Sequence, residues 1–449
     1  MRGAILETAV MAALLCAPAI AREGVLRRNV LLIVADDLGV DRVGAYAEHP
    51  DPGRTPNIDR LARSGVLFRN AWADPVCSST RAMILTGRYG FRTGIGTSIR
   101  PEGSGHALPI EEHTLPEVLR SGTGEAYRTI AVGKWHLGSG AVAGPLHPLK
   151  SGFHAHVGSL GNLFDPDDYF AWQRSVNGVV EAHEVYATSD AANEALRAIR
   201  GLPEPWLVYL AFNAPHRPLH APPDDLHTFE LSGDPEDTPA LHAKAMVEAM
   251  DTEIGRVLAG FPEGVLARTT ILFVGDNGTL GEASEPPSDP ERGKDTLYEG
   301  GVNVPLIACG AGVPARGAEC AALLDATDLF ATVAELAGVD WRAEVPAEVE
   351  VDSVSLVPYL SDPARASRRA WVYAEKFRPN GPGPWAEHRQ AIRGPRYKLI
   401  RSRPEDQSEL YDLQRDPRER HDLLQGELTD EQRRAYEGLE RRLEELTGS

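Results

Sequence analysis

The sequence predicts an α/β fold, with a large mixed, mostly parallel sheet between helices and a small C-terminal antiparallel sheet plus helix. Three observations carry this. Short, uninterrupted apolar runs recur at residues 29–35, 129–132, 205–212 and 269–274, the pattern of strands buried on both faces of a parallel sheet. Segments with helical spacing of apolar residues separate them, 184–200 and 241–258 among others, and parallel strands need such crossovers. Beyond residue 366 the apolar and polar residues alternate, at 370–374, 389–393 and 397–401, as in half-buried antiparallel strands.

Taken in order, residues 1–21 have the form of a secretory signal peptide. Arg2 is followed by an apolar, small-residue run from Ala9 to Ala21 that ends in Ala19-Ile20-Ala21. The run is too short to span a bilayer, so the expectation is an exported protein, periplasmic or secreted, with no stable membrane span. The first strand, Asn29 to Ala35, delivers Asp36 and Asp37 at its end. Two adjacent carboxylates there are costly unless water or a cation sits between them. Thr55 to Ala62 follows as a helix with an early proline. Ser78 to Leu85 is the next helix, with Cys77 at its start. The positive end of a helix dipole favours anionic chemistry, and Arg81, four residues after Cys77, shares its face.

Thr114 to Arg120 reads as a helix, and the strand 129–132 leads into Gly133-Lys134-Trp135-His136-Leu137-Gly138. In extended chain Lys134 and His136 point to one side. Residues 139–180, rich in Gly, Pro and Asp, read as loops around a substrate entrance. The strand 205–212 opens into Asn213-Ala214-Pro215-His216-Arg217-Pro218-Leu219-His220, where prolines fix the direction of the imidazoles. The strand 269–274 ends at Asp276-Asn277-Gly278. A strand over 304–308 and a helix over 325–337 complete the main body, and a charged helix over 429–447 ends the chain. The expected units are the signal peptide 1–21, a catalytic domain 24–362 and a small C-terminal subdomain 366–449.

A formal net charge of −19 excludes nucleic acid as a partner. It also means that an anionic substrate must be drawn in by a local positive field. Cys16 leaves with the signal peptide, and Cys309 and Cys320 flank a Gly-rich loop. They form either a disulfide or two buried thiols, and both readings stay open.

Four apolar strands therefore end in Asp36-Asp37, Lys134 and His136, His216, and Asp276-Asn277. In open α/β sheets ligands bind beyond such ends. The stretch Pro75 to Arg88 resembles the type I sulfatase signature, with Ser79 where that family has proline. Thr55-Pro56-Asn57-Ile58-Asp59, Gly133 to Gly138, Ala214-Pro215-His216 and Asp276-Asn277-Gly278 resemble further family segments. So does Lys294 to Pro305, with Asn303 in place of an arginine. The resemblance covers most of 29–420 and points to the formylglycine-dependent sulfatases of the alkaline phosphatase-like superfamily.

That resemblance implies a sulfuric ester hydrolase whose Cys77 is oxidised to formylglycine by a formylglycine-generating or equivalent maturation enzyme. The hydrated aldehyde attacks sulfur as the alcohol leaves, and the second hydroxyl then loses its proton, expelling sulfate from residue 77 and returning the aldehyde. It implies a metal shell of Asp36, Asp37, Asp276, Asn277 and an oxygen of residue 77. The ion is calcium, with magnesium left open. The implied catalytic set is Cys77, Arg81, Lys134, His136, His216 and Lys294. Arg81 and His136 position the nucleophile, and the other three, with His136, hold sulfate or leaving-group oxygens. The leaving-group acid is His216 or Lys294. Aryl, carbohydrate and small alkyl sulfates all fit as substrates. A phosphate or phosphonate monoester hydrolase and a non-catalytic binder of sulfated glycan are the competing readings.

Overall fold

The computed structural model describes residues 27–103, 105–404 and 407–448. The signal peptide read over 1–21, with Cys16, lies outside the described residues. Strand β1 (Asn29–Ala35) is followed by α1 (Pro56–Arg63), β2 (Gly65–Trp72) and α2 (Cys77–Thr86). Then come α3 (Leu115–Thr123), β3 (Arg128–Gly133), β4 (Ala155–Gly158), β5 (Trp172–Val176) and β6 (Val179–His183). Helix α4 (Ala187–Gly201), β7 (Trp206–Ala211), α5 (Pro239–Ala259) and β8 (Thr269–Gly275) follow. The main body closes with β9 (Leu306–Gly310), β10 (Ala318–Asp325) and α6 (Asp328–Leu336). The C-terminal part holds β11 (Val372–Arg378), β12 (Glu387–Arg393), β13 (Tyr397–Arg403), β14 (Gln407–Asp412) and α7 (Asp430–Thr447).

The expected large mixed sheet is present. It has ten strands in the order β10-β2-β9-β8-β1-β7-β3-β4-β5-β6. β8, β1, β7, β3 and β4 run parallel to their neighbours in that stretch, whereas β9 and the β5–β6 hairpin are antiparallel. Each residue of β1 is buried because both faces are covered. Val30, Leu32 and Val34 pack with α2, α3 and α6, while Leu31, Ile33 and Ala35 pack with α1, α4 and α5. That two-sided burial is why the sequence of β1 is apolar without alternation.

The expected small antiparallel sheet is also present, in the order β11-β12-β13-β14. Helix α7 starts in a capping box of Thr429 and Gln432. Its Tyr436, Leu439, Leu443 and Leu446 pack on the main core, as their spacing predicts. Buried polar contacts fasten the two sheets together. Asp74 Oδ1 accepts from Glu375 N at 2.8 Å, and Arg369 Nε donates to Asp328 Oδ2 at 2.9 Å.

Two local expectations need correction, and one open reading is decided. Residues 139–180 are not all loop, because β4, all of β5 and the start of β6 extend the sheet there. The helix expected from Asp325 starts at Asp328, because Asp325 is the last residue of β10. Its carboxyl turns back to accept from Thr327 N at 3.1 Å and Thr327 Oγ1 at 2.9 Å, which separates strand from helix. Cys309 and Cys320 are buried free thiols. They sit on β9 and β10, which are separated by β2. Among the described residues no helix is long and apolar enough to cross a membrane.

Candidate active site

β8, β1, β7 and β3 are consecutive, parallel neighbours. Their C-terminal ends therefore open on one edge of the sheet, and the polar residues after each strand meet there. Asp37 and His136 both have positive φ, 64° and 62°, in the left-handed region that non-glycine residues rarely enter. Two such backbones at one edge turn adjacent side chains inward rather than alternately.

Helix α2 carries Cys77 to this edge. All ten of its residues are buried, and Gly87, with φ 70°, ends it. Ser78 Oγ ties it in, donating to the His136 carbonyl at 2.9 Å and accepting from Ile99 N at 3.0 Å. Ser79 Oγ donates to the Val76 carbonyl at 2.9 Å. Asn303, in the arginine position of the motif, donates to the Arg69 carbonyl at 3.3 Å, on the far side of the sheet end.

Cys77 Sγ lies 3.8 Å from Asp37 Oδ1. Lys294 Nζ is 2.6 Å from Asp37 Oδ1, and Asn277 Nδ2 donates to the same oxygen at 2.8 Å. Lys134 Nζ pairs with Asp36 Oδ2, and both side chains are fully buried. Arg81 donates to Asp276 Oδ2 from Nε at 2.9 Å and to the Lys134 carbonyl from Nη1 at 2.8 Å. The Asp37 N–H donates to Asp276 Oδ1 at 3.2 Å. His216 Nε2 stands 3.8 Å from Asp37 Oδ2, and its Nδ1 faces the Arg217 carbonyl at 2.7 Å. His136 is buried with Nδ1 unpartnered. All ten residues singled out in the sequence thus lie in one connected cluster.

Charge is closely balanced in this buried space. Burial works against the ionised form of Asp36, yet Lys134, His216 and Arg81 outweigh it and hold the carboxyl well below its usual range. Burial and the Asp36 charge push Asp276 up to about 7, against Arg81. Burial, with Lys134 and Arg81 adding to it, keeps His136 neutral well below its usual range. Burial and the Asp36 charge push the Cys77 thiol well up.

The donor set fits a hard divalent cation. Asp36 Oδ1 and Asn277 Oδ1 are buried acceptors with no hydrogen-bond partner, and such atoms are costly unless something positive meets them. Ligand atoms of Asp36, Asp37, Cys77 and His216 lie within 4.8 Å of one another. Oxygen donors from acids and an amide suit calcium or magnesium.

Some residues that shape the site carry no sequence signal. Tyr169 Oη lies 2.6 Å from the Asn213 carbonyl and 2.7 Å from the His216 carbonyl, bracing the loop that carries His216. His220 stacks on Tyr169 with centroids 4.3 Å apart and meets Tyr186 Oη at 3.0 Å, so it supports that brace from behind. Phe164 stands beside His216, ring centroids 5.5 Å apart. Thr279 joins two of the strand-end loops, donating to Asp41 Oδ1 at 2.6 Å and accepting from Gly39 N at 3.2 Å.

Known proteins share this architecture. The chain is 32% identical over 394 residues to the N-acetylgalactosamine-6-sulfatase of Rattus norvegicus, covering 79% of this chain and 71% of that protein. It is 29% identical over 512 residues to the steryl-sulfatase of Mus musculus, covering 88% and 78%. The crystal structure of Ps i-CgsB in complex with k-i-k-neocarrahexaose superposes with a TM-score of 0.77 at 26% identity, covering 94% of this chain and 93% of that one. The family model for N-sulphoglucosamine sulphohydrolase, C-terminal, matches residues 293–448. The sulfatase family model matches residues 28–339, the span that contains each strand end described above, and the chain belongs to the sulfatase family.

Proposed function

We propose that this sulfatase cleaves sulfate esters to alcohol and inorganic sulfate using formylglycine made from Cys77 and a hard divalent cation. The observation that carries the reading is the position of Cys77. Its side chain heads a buried helix, 3.8 Å from Asp37 and within the cluster that includes Lys294, Lys134 and His216. A buried thiol is a poor nucleophile as it stands, and replacing its sulfur would give this position its chemistry. Converted, residue 77 supplies a hydrated aldehyde as nucleophile, and a cation held by Asp36, Asp37, Asp276 and Asn277 supplies charge neutralisation.

The chain's own groups do the rest. Lys294 and Lys134 bring positive charge to an otherwise acidic protein, where sulfate oxygens gain charge as the ester bond breaks. His136, neutral with Nδ1 unpartnered, is the candidate to hold or move a proton at residue 77. His216, whose Nδ1–H donates to the Arg217 carbonyl, presents Nε2 toward the reacting side. Burial with the Lys294 and Lys134 charges favours its neutral form, so it is the candidate acid for the leaving oxygen only in its doubly protonated form, with Lys294 the other candidate. Arg81 keeps Asp276 and the Lys134 loop in place. The chain is read as exported, where it would meet its maturation enzyme on the way.

The test is the mass of the residue-77 peptide from protein made in its own host, combined with rates on matched aryl sulfate and aryl phosphate. The expected result is an aldehyde at residue 77, faster turnover of the sulfate, and no turnover by Cys77→Ala. An intact thiol in active protein, or faster turnover of the phosphate, would overturn it. Titration of chelated protein with calcium and with magnesium, read by thermal stability, assigns the ion.

A further inference from the structure

The catalytic cluster opens into a cavity of about 950 Å³, lined by His136, His216 and Lys294 and walled by residues 97–102, 162–167 and 280–282. The cations of this wall are mostly committed. Lys294 holds Asp37, and Arg217 pairs with Glu282. Asp295 is likewise satisfied by Lys376 at 2.9 Å. Glu102, Asp165 and Asp167 line the same cavity and have no cationic partner among the described residues, against one unpaired cation, Arg100. Burial, together with Glu102 and Asp168 nearby, raises the Asp167 carboxyl, so the acids crowd one another. Asn162 adds a buried, unpartnered carbonyl oxygen to this acceptor-rich wall. Phe164, 48% exposed beside His216, offers the apolar surface.

The field is thus split by depth. Lysines and a metal shell receive the sulfate at the inner end, while unpaired carboxylates meet whatever the sulfate is attached to. A second anion on the alcohol half would have to lie against Glu102, Asp165 and Asp167 in a space only partly open to water. Like charges there repel, and because Glu102 and Asp165 are exposed, the repulsion is weakened by salt. A donor group, hydroxyl or ammonium, would instead find carboxylate oxygens with no cation on them.

We propose that Glu102, Asp165 and Asp167 make this enzyme select sulfate esters whose alcohol half carries no second negative charge, and favour one that bears an ammonium group. The inference rests on the sulfate-ester reading above and names the charge class of substrate for that same site. None of the three residues touches the catalytic cluster, so they act on specificity rather than on bond cleavage.

The experiment uses holoenzyme with residue 77 converted and three matched aryl sulfates: 4-nitrophenyl sulfate and its analogues carrying an aminomethyl or a carboxylate group on the ring. The expected order of kcat/KM is aminomethyl, then unsubstituted, then carboxylate, with about a tenfold gap between the last two that narrows at high salt. Asp165→Asn combined with Asp167→Asn, and separately Glu102→Gln, should raise the carboxylate analogue toward the unsubstituted rate. Turnover of 4-nitrophenyl sulfate itself should stay unchanged, which also shows that the variants fold. Equal rates on the three esters by wild type, or a gap untouched in both variants, would overturn the proposal. No turnover of any sulfate ester by converted enzyme would instead overturn the reading on which it rests.

Discussion

At the scale of single residues, Lys294 shows how the site divides its labour. Its ammonium lies 2.6 Å from Asp37 and also lines the cavity, so it faces both the acids and the position of the substrate. Replacing Lys294 with alanine removes one donor aimed at developing charge, and such losses cost about 10²–10³ in kcat. The same change leaves Asp37 without its nearest cation, so thermal stability in chelator should fall as well, while added calcium restores stability but not rate. Steady-state kinetics and melting curves with and without calcium check this, and an unchanged kcat would remove Lys294 from the catalytic set. Ser79 illustrates the opposite case, a motif departure without structural consequence. It is the third residue of α2, where the backbone N–H has no partner within the helix. Proline and serine therefore both fit, and the serine hydroxyl closes on the Val76 carbonyl.

At the scale of elements, the brace under the His216 loop is the feature to test. Tyr169 Oη reaches both the Asn213 and His216 carbonyls. Tyr169→Phe takes the hydroxyl from both; the Asn213 carbonyl keeps the His216 N–H at 2.9 Å while the His216 carbonyl loses this partner, a cost of about 1–3 kcal/mol, and the loop is freed to move. The expected outcome is a several-fold loss of kcat/KM with conversion of residue 77 unchanged by mass; a loss of conversion would show that the tyrosine acts on maturation instead. What the sequence made legible follows from burial. β1, β3, β7 and β8 stood out because each is covered on both faces and so carries an unbroken apolar run. β2 did not, because Arg69 and Asn70 interrupt it, one pairing with Glu319 and the other with the Ala321 carbonyl on the neighbouring strand. β10 is an alanine-rich edge strand with a register shift between Cys320 and Leu323, a composition that suits a helix equally. The motif residues were legible because their chemistry is rare. Tyr169, Phe164 and the acidic cavity wall lie in loops, where no periodicity marks which side chain turns inward.

At the scale of the whole molecule, the two sheets behave as one body only if the charges between them stay paired. Lys398, with a fully buried side chain on β13, holds Glu419 at 2.7 Å and Glu299 at 3.2 Å. Lys398→Met would strand the buried Glu419 carboxylate, while Glu299 keeps Arg393 at 2.7 Å, a loss of about 3–5 kcal/mol, seen as a lower urea midpoint. A separate early transition would instead mean that the C-terminal sheet unfolds alone. Acid works on the whole molecule through histidines that fold neutral. Burial, partly offset by the Gly133 backbone, lowers His156 from its ordinary 6.5 to about 4. Below pH 6.5 the unfolded chain takes up this proton and the folded one does not, so stability is lost as pH falls from 6.5 to 4. The loss amounts to roughly 3 kcal/mol. Asp276 and Asp325, both raised to about 7 by burial, act in the opposite sense, since the folded state binds their protons first. The overall pH curve therefore mixes both signs, and the difference between wild type and His156→Leu isolates the histidine. Wild-type minus variant stability should fall steadily as the pH is lowered from 6.5 to 4, because only the wild type pays for keeping the imidazole neutral. A difference that stays flat across this window would mean that His156 is protonated in the folded protein as readily as in the unfolded chain.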